Sequence, residues 1–295
     1  MTHRRAVATM VAVTLMWSIA GVVSRHLEAA RGFEVTFWRS AFNALALLGL
    51  LLALRGPAVL AASIRNGGRT LWISALCWAS MFTAFMMALS LTTVANVLVT
   101  MATAPLFTAL LARFTLGHRL AVRTWAAIVV AGLGIASMYA RELSASEPRH
   151  LLGMLVALGV PVAAALNWTL IQHNRGAQQR DMLPAVLLGA LVSALVTLVP
   201  ALPFAATGHD LSLLALLGTV QLAIPCLLTV LVARTLPAPE ISLLALLEVV
   251  FGVLWAWLGA GEAPTGPVLV GGLMVLAALA GNELLALRRG VAATA

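Results

Sequence analysis

The sequence predicts an all-α integral membrane protein in which ten transmembrane helices form two inverted five-helix repeats. The first observation behind this fold class is composition, since 62% of the 295 residues are hydrophobic and only 9% are charged. A soluble domain carries about 25% charged residues, so most of this chain must face lipid. The other two observations are a series of long apolar runs and an uneven distribution of arginine between them.

Ten apolar runs are long enough to cross a bilayer. A helix rises about 1.5 Å per residue, so roughly 20 apolar residues span the hydrocarbon core. The predicted spans cover residues 6–24, 34–54, 71–90, 94–112, 122–140, 151–171, 182–205, 211–232, 241–259 and 265–287. The nearly unbroken stretch 71–111 would extend about 60 Å as one helix. It must therefore fold back, and Ser90-Leu-Thr-Thr is the predicted corner.

Arginine sets the predicted orientation. All 18 basic residues are arginine; with a cytoplasmic N-terminus, 13 fall on the cytoplasmic side and four on the outer side, while Arg39 lies inside the second span. This excess follows the positive-inside rule. We therefore expect a multi-pass protein of the bacterial inner membrane with both termini in the cytoplasm. Because the arginines are scattered between apolar runs, the net charge of +8 does not indicate a nucleic-acid partner.

The chain divides into two halves, residues 1–145 and 146–295, with five predicted spans each. An odd number of spans per half requires the halves to be inverted relative to each other. A shift of 144 residues aligns 96–127 with 240–271 without a gap, and the helix–loop–helix layout coincides over this segment. Transporters built from such repeats bind at the repeat interface. We therefore expect a site between the halves, walled by spans one to four and six to nine.

Several segments resemble the drug/metabolite transporter superfamily, whose members carry two EamA-type repeats. They are Leu15-Met-Trp-Ser, Phe37-Trp-Arg, the hairpin over 88–111, and Leu247-Glu-Val followed by Leu258-Gly-Ala-Gly-Glu. Val249 and His118 depart from residues that the family often has there. The resemblance is nearest to aromatic amino-acid exporters of the YddG type. It implies a secondary transporter that exports amino acids or similar small metabolites by alternating access, without a cofactor.

Two ionisable side chains within predicted spans are candidates for a role in transport, because a charge there needs a partner or a watery cavity. Glu248 is the only acid deep in a span, and a desolvated carboxyl suits a proton carrier. The alternative is a protonated Glu that bonds a neighbouring helix. Arg39 lies about five residues into the second span, near the outer face. Its guanidinium could hold a substrate carboxylate, although we expect it to snorkel to the outer headgroups.

Aromatic and amide side chains provide further candidates for a substrate site. Trp17, Trp78 and Trp168 lie away from helix ends, where they could line a cavity or pack between helices. Five amides add hydrogen-bonding capacity, or else join helices: Asn43, Asn96, Asn167, Gln172 and Gln221. Of these amides, Asn96 and Asn167 are predicted to bind substrate together with the three tryptophans and Arg39.

Three prolines lie inside predicted helices four, six and eight, namely Pro105, Pro161 and Pro225. A mid-helix proline frees a carbonyl and bends the helix, which suits a gate, although a static kink is equally consistent. Predicted helices five and ten are almost purely apolar with small residues at helical spacing. That pattern is typical of packing elements away from a transport pathway.

Other function classes find little support. The sequence has no His-Glu-x-x-His, no Gly-x-Ser-x-Gly and no paired intramembrane carboxylates, which disfavours a membrane-embedded enzyme. It has no charged ring or filter-like loop of a channel and no phosphate-binding loop. We expect no metal site, and we expect Cys77 and Cys226 to be free thiols. Among transporters, proton-coupled efflux of lipophilic cationic drugs, with Glu248 facing the drug, is the alternative to amino-acid export.

Overall fold

A computed structural model describes residues 1–24, 26–92, 97, 100–101, 103–116, 121–139, 148–177, 181–260, 266–267, 269–278 and 281. The regular elements of these ranges are all helical. The α-helices are α1 (His3–Trp17), α2 (Ala20–Ser24), α3 (Gly32–Arg55), α4 (Pro57–Asn66), α5 (Gly68–Leu91), α6 (Ala104–Leu116), α7 (Val122–Tyr139), α8 (Pro148–Ala177), α9 (Leu183–Leu198), α10 (Gly208–Leu216), α11 (Ile224–Val232), α12 (Ala238–Ala245) and α13 (Leu247–Ala260). A 3₁₀ turn (Val199–Ala201) follows α9, and a π-helix (Leu217–Ala223) joins α10 to α11.

Six predicted spans are confirmed as helices long and apolar enough to cross a membrane. They are the spans predicted over 6–24, 34–54, 71–90, 151–171, 182–205 and 211–232. The other four coincide with shorter helices or extend beyond the described residues, so the count of ten stays a prediction. The corner predicted after Ser90 agrees with the structure, because α5 ends at Leu91 and Thr92 is extended.

The short helix α4 was not among the predicted elements, because ten residues cannot cross a membrane. Its start follows from local chemistry. Gly56 has a positive φ of 77° and ends α3, and Pro57 then occupies the first position of the new helix, where its missing N–H is harmless. Only Leu60 of α4 is buried. The helix therefore lies on the surface of the bundle, beside α3 and α5.

Glycines let the central helices approach closely. A Cβ on Gly189 of α9 would lie 2.8 Å from the Ala75 carbonyl oxygen of α5, and one on Gly218 of the π-helix would lie 2.7 Å from the Arg39 carbonyl oxygen of α3. Any larger residue would push these backbones apart. Gly134 of α7 faces the Gly271 carbonyl oxygen in the same way, at 2.7 Å. This contact agrees with a packing role for predicted helices five and ten.

A chain of buried hydroxyls joins three of the central helices. Ser193 of α9 lies 2.9 Å from the Oγ of Ser40 on α3 and 2.9 Å from the Oγ1 of Thr83 on α5. Lipid offers no hydrogen-bond partner, so each of these hydroxyls must be satisfied within the protein. The chain therefore fixes the relative positions of α3, α5 and α9.

At one end of the bundle, two carboxylates hold the connecting segments. Asp210 accepts hydrogen bonds from the backbone N–H groups of residues 28–30 (2.7–3.0 Å) and of Thr207 (3.2 Å). Glu34 accepts two more, from the backbone of residues 205–206, at 2.8 and 2.9 Å. The segment before α3 is thus hydrogen-bonded to α10, and the segment before α10 is hydrogen-bonded to α3.

Ion pairs hold the opposite end. The Asp181 carboxylate accepts from Arg55 at the end of α3 (3.1 Å) and from Arg234 just beyond α11 (3.3 Å). His3 at the start of α1 pairs with Glu240 of α12 at 2.7 Å. Since Glu34 and Arg55 lie at opposite ends of α3, the two sets of contacts mark the two faces of the bundle.

Candidate substrate-binding cavity

A cavity of about 120 Å³ lies among the central helices. A single ordered water needs about 10–15 Å³, so the space is large enough for several waters or a small solute. Its wall comes from α1, α3, α5 and α6 on one side of the chain midpoint and from α8, the π-helix, α11, α12 and α13 on the other. Both halves of the sequence therefore build the same cavity, as expected for a site between repeats.

Within the described residues, three of the predicted spans contribute nothing to this wall. No described residue of the spans over 122–140 and 265–287 lines the cavity, in agreement with the packing role expected for them. The span over 182–205 was expected in the wall but is absent too. The reason is that its helix, α9, lies behind α5, with Gly189 against the Cβ of Trp78. It supports the wall and does not form it.

Tryptophans form the largest apolar surface of the cavity. Trp17, Trp78 and Trp168, the three that the sequence placed away from helix ends, all line it. The rings of Trp78 and Trp168 meet edge to face, with centroids 5.4 Å apart and an interplanar angle of 81°. Phe82 lies 5.6 Å from Trp78, measured between ring centroids. The arrangement offers flat apolar faces to a ligand.

Arg39 brings a positive charge into the wall. Its side chain is only 3% exposed, so the expectation that it snorkels to the headgroups is wrong. The sequence placed Arg39 near a helix end, but α3 begins at Gly32, about 10 Å earlier along the helix axis. Glu34 also holds the segment 205–206 against the first turn of α3. The guanidinium lies 5.6 Å from the Phe85 ring centroid. Its buried Nε has no hydrogen-bond partner.

Glu248 supplies the opposite charge. The predicted ninth span is interrupted at Leu246, between α12 and α13, and Glu248 lies in the first turn of α13. A carboxylate there is favoured by the N-terminal end of the helix dipole. Glu248 and Arg39 both line the cavity, so the pair is neutral overall when both side chains are ionised. Among the described residues, no hydrogen bond or ion pair to the Glu248 carboxylate is formed.

Of the candidate amides in the described part of the chain, Gln221 on the π-helix is the one that lines the cavity. Its Nε2 donates to the carbonyl oxygen of Trp17, the last residue of α1, at 3.1 Å. The next residue, Ser18, accepts a hydrogen bond from Trp255 Nε1 of α13 at 2.9 Å. Hydrogen bonds from the π-helix and from α13 therefore hold the interruption between α1 and α2. Gln221 Oε1 is buried without a hydrogen-bond partner.

The other candidate amides that the structure describes, Asn43, Asn167 and Gln172, do not line the cavity. Asn167 is fully buried, and its Oδ1 accepts from Ser74 of α5 at 2.6 Å. It precedes Trp168 on α8, and neighbours on a helix point about 100° apart, so the tryptophan faces the cavity and Asn167 faces α5. Gln172 accepts from the Ala238 backbone N–H at 2.9 Å. Asn96 lies outside the described residues.

The three prolines occupy different settings. Pro161 lies within α8 and lines the cavity. Pro105, expected in mid-helix, is instead in the first turn of α6, where a missing N–H breaks no helical bond. Pro225 directly follows the π-helix, near the start of α11. It cannot donate to the Gln221 carbonyl four residues earlier, and the wider π turn accommodates that lost bond.

Several wall residues were not singled out by the sequence. On α5, Met81, Phe82 and Phe85 line the cavity with Trp78. Their spacing of i, i+3, i+4 and i+7 places all four on one helix face. That periodicity was readable in the sequence. The signal is weak in a helix whose other faces are also apolar.

The bundle of apolar helices and its shared, charged cavity define a multi-pass membrane transport protein. The chain belongs to the EamA-like transporter family, whose model matches residues 4–140 and again residues 151–282. Members of this family move small molecules across membranes and are transporters, not enzymes. The chain is therefore a membrane transporter of small molecules that works within a lipid bilayer.

Solved structures confirm the fold. One, described only as the crystal structure of a protein, matches with a TM-score of 0.81 and 18% sequence identity. The match covers 97% of this chain and 99% of that one. At that identity the likeness shows the fold alone. No protein of curated function matches the chain significantly.

The pairing of Ser74 with Asn167 predicts a structural and not a substrate-binding role for Asn167. We expect Asn167→Ala and Ser74→Ala each to lower the apparent Tm in detergent, because each strands a buried partner. The double variant should lose less than the sum, with a coupling of about 1 kcal/mol. Transport should persist in all three variants. Loss of transport in Asn167→Ala at an unchanged Tm would contradict this assignment.

Proposed function

We propose that the protein is a secondary transporter that exports amino acids, aromatic ones included, or similar small metabolites by alternating access. The observation that carries this proposal is the combination in one cavity of a buried arginine, an acid and three tryptophans. The EamA-like family supports transport of small molecules, and the cavity chemistry supports the narrower substrate class.

An amino acid matches these groups part by part. Arg39 presents a planar set of donors that suits a carboxylate. Its contact with the Phe85 ring is not a hydrogen bond to an oxygen, so it pairs none of the guanidinium donors with an acceptor. Trp17, Trp78 and Trp168 offer stacking surface to a flat side chain, at about 0.5–1.5 kcal/mol for each ring contact. The cavity carries no net charge when Arg39 and Glu248 are both ionised, which favours a zwitterion over a simple ion.

Proton-coupled efflux of lipophilic cationic drugs is the alternative. The specific observation in its favour is Glu248, an acid in a tryptophan-lined cavity, since aromatic faces and carboxylates both attract cations. Arg39 weighs against this function. A buried guanidinium in the same wall would repel a cationic drug that approaches it.

For the architecture we propose ten spans in two inverted repeats, 1–145 and 146–295, with both termini in the cytoplasm. Three considerations support it: the two family matches, the thirteen-to-four distribution of arginine and the position of the contacts at the two ends of the bundle. Asp181 with Arg55 and Arg234 would lie on the cytoplasmic face, and Asp210 with Thr207 on the outer face.

The first test concerns substrate. Proteoliposomes should move labelled phenylalanine, tryptophan and threonine by counterflow and should leave a cationic dye in place. Arg39→Lys keeps the charge but loses the planar donor pair, so the apparent affinity for amino acids should fall at least about tenfold. Arg65→Lys, on the exposed end of α4, is the matched control and should behave as wild type. Movement of the dye alone would end the amino-acid proposal and favour drug efflux.

The second test concerns coupling through Glu248. If Glu248 carries protons, Glu248→Gln should abolish the dependence of transport on an imposed pH gradient, because the amide cannot titrate. Counterflow, which needs no gradient, should persist. Glu240→Gln removes an acid that pairs with His3 outside the cavity, and its response to the gradient should remain normal. If transport by Glu248→Gln responds to the pH gradient as the wild type does, Glu248 does not carry protons and has a structural role.

The third test concerns orientation. Cysteines replacing Arg65 and His209 lie on exposed positions at opposite ends of the bundle, while the native Cys77 and Cys226 are buried. In intact cells an impermeant thiol reagent should label the His209→Cys protein and spare the Arg65→Cys protein. Labelling should reverse in inside-out vesicles. The opposite pattern in intact cells would overturn the proposed topology.

A further inference from the structure

We propose that Gln221 is a specificity-determining residue whose Oε1 accepts a hydrogen bond from the α-amino group of the substrate, beside Arg39, which holds the carboxylate. This inference rests on the amino-acid transport proposed above and deepens it. It assigns recognition of the amine to a neutral acceptor on the π-helix and not to the acid Glu248.

The orientation of the Gln221 amide is fixed by its neighbour. The Trp17 carbonyl oxygen can only accept, so the NH₂ group must be the part of the amide that faces it, at 3.1 Å. Oε1 therefore points elsewhere. Gln221 is 2% exposed and lines the cavity, and Oε1 has no donor. A buried acceptor without a donor is unfavourable, and a ligand that brings an N–H relieves that penalty.

Arg39, in the wall of the same cavity, has an unmatched donor where Gln221 has an unmatched acceptor. Its buried Nε has no acceptor. The two residues belong to segments in direct contact, because Gly218 of the π-helix lies against the backbone of Arg39. Although one is a free donor and the other a free acceptor, they do not bond to each other. Unmatched groups of opposite kind in one cavity wall suit a ligand that carries both a carboxylate and an ammonium.

The π-helix explains how Gln221 reaches this position. Its turn is wider than an α turn and shifts the side chains that follow, and π segments are frequent at functional sites. Pro225 follows directly and cannot donate to the Gln221 carbonyl, which disfavours a return to α geometry there. The neutral amide leaves Glu248 free to change protonation without altering recognition of the amine.

The decisive experiment compares two ligands that differ only in the amine. Proteoliposome uptake of labelled phenylalanine is inhibited with phenylalanine and with 3-phenylpropionate. The ratio of the inhibition constant of 3-phenylpropionate to that of phenylalanine measures recognition of the amino group. In Gln221→Met the ratio should fall about tenfold, through weaker binding of phenylalanine alone. Leu217→Met, a change on the same π-helix at a residue outside the cavity wall, should keep the wild-type ratio.

Gln221→Glu separates recognition from a structural role. This variant keeps an oxygen acceptor but loses the donor to Trp17, so the ratio should stay at or above the wild-type value. If Gln221 merely caps Trp17, both variants should weaken the two ligands equally, and that result overturns the inference. Should Gln221→Met fail to fold, a reduced ratio in Gln221→Glu overturns it as well. Wild-type protein that moves no phenylalanine would instead refute the proposed function.

Discussion

Within a bilayer, a polar group that finds no partner in the protein finds none at all, because lipid tails neither donate nor accept hydrogen bonds. This constraint shapes the described helices. Ser40, Ser193 and Ser74 each pair with a side chain on a neighbouring helix, and these pairs fix how the helices pack. Unmatched buried atoms remain both in the cavity wall, on Arg39 and Gln221, and away from it, on Asn43 and Asn167. The hydrogen-bonding constraint therefore explains the pairs that join the helices.

Backbone irregularities converge on the cavity as well. The first helix is interrupted after Trp17, the eighth predicted span contains the π-helix with Gln221, and the ninth is interrupted just before Glu248. Irregular backbone at membrane depth is tolerated where it is buried in protein or lines a cavity. Trp17, Gln221 and Glu248 differ in chemistry, yet each lies in or beside one of these irregular segments and lines the cavity.

The sequence predicted the long spans well, because length and apolar composition alone decide them. It also selected the three tryptophans that line the cavity, since distance from the ends of a predicted span is a usable measure of depth. Arg39 was misjudged because its depth depends on a distant segment that covers the start of α3, and no local pattern reveals that cover. Gln221 could not be separated from Asn167 among the amides, because which amide is already paired depends on tertiary neighbours. The π-helix left no sequence signal except Pro225.

The two cysteines give the protein a reporter of its own. Both are buried as free thiols, but Cys226 lies in the cavity wall, whereas Cys77, beside Trp78 on α5, is not part of it. A small thiol reagent that enters the cavity therefore meets one native sulfur and not the other. On the proposed function, a bound substrate would shield Cys226 and leave the surroundings of Cys77 unchanged. The ratio of modification at these two natural residues would then report occupancy of the cavity, without engineering either.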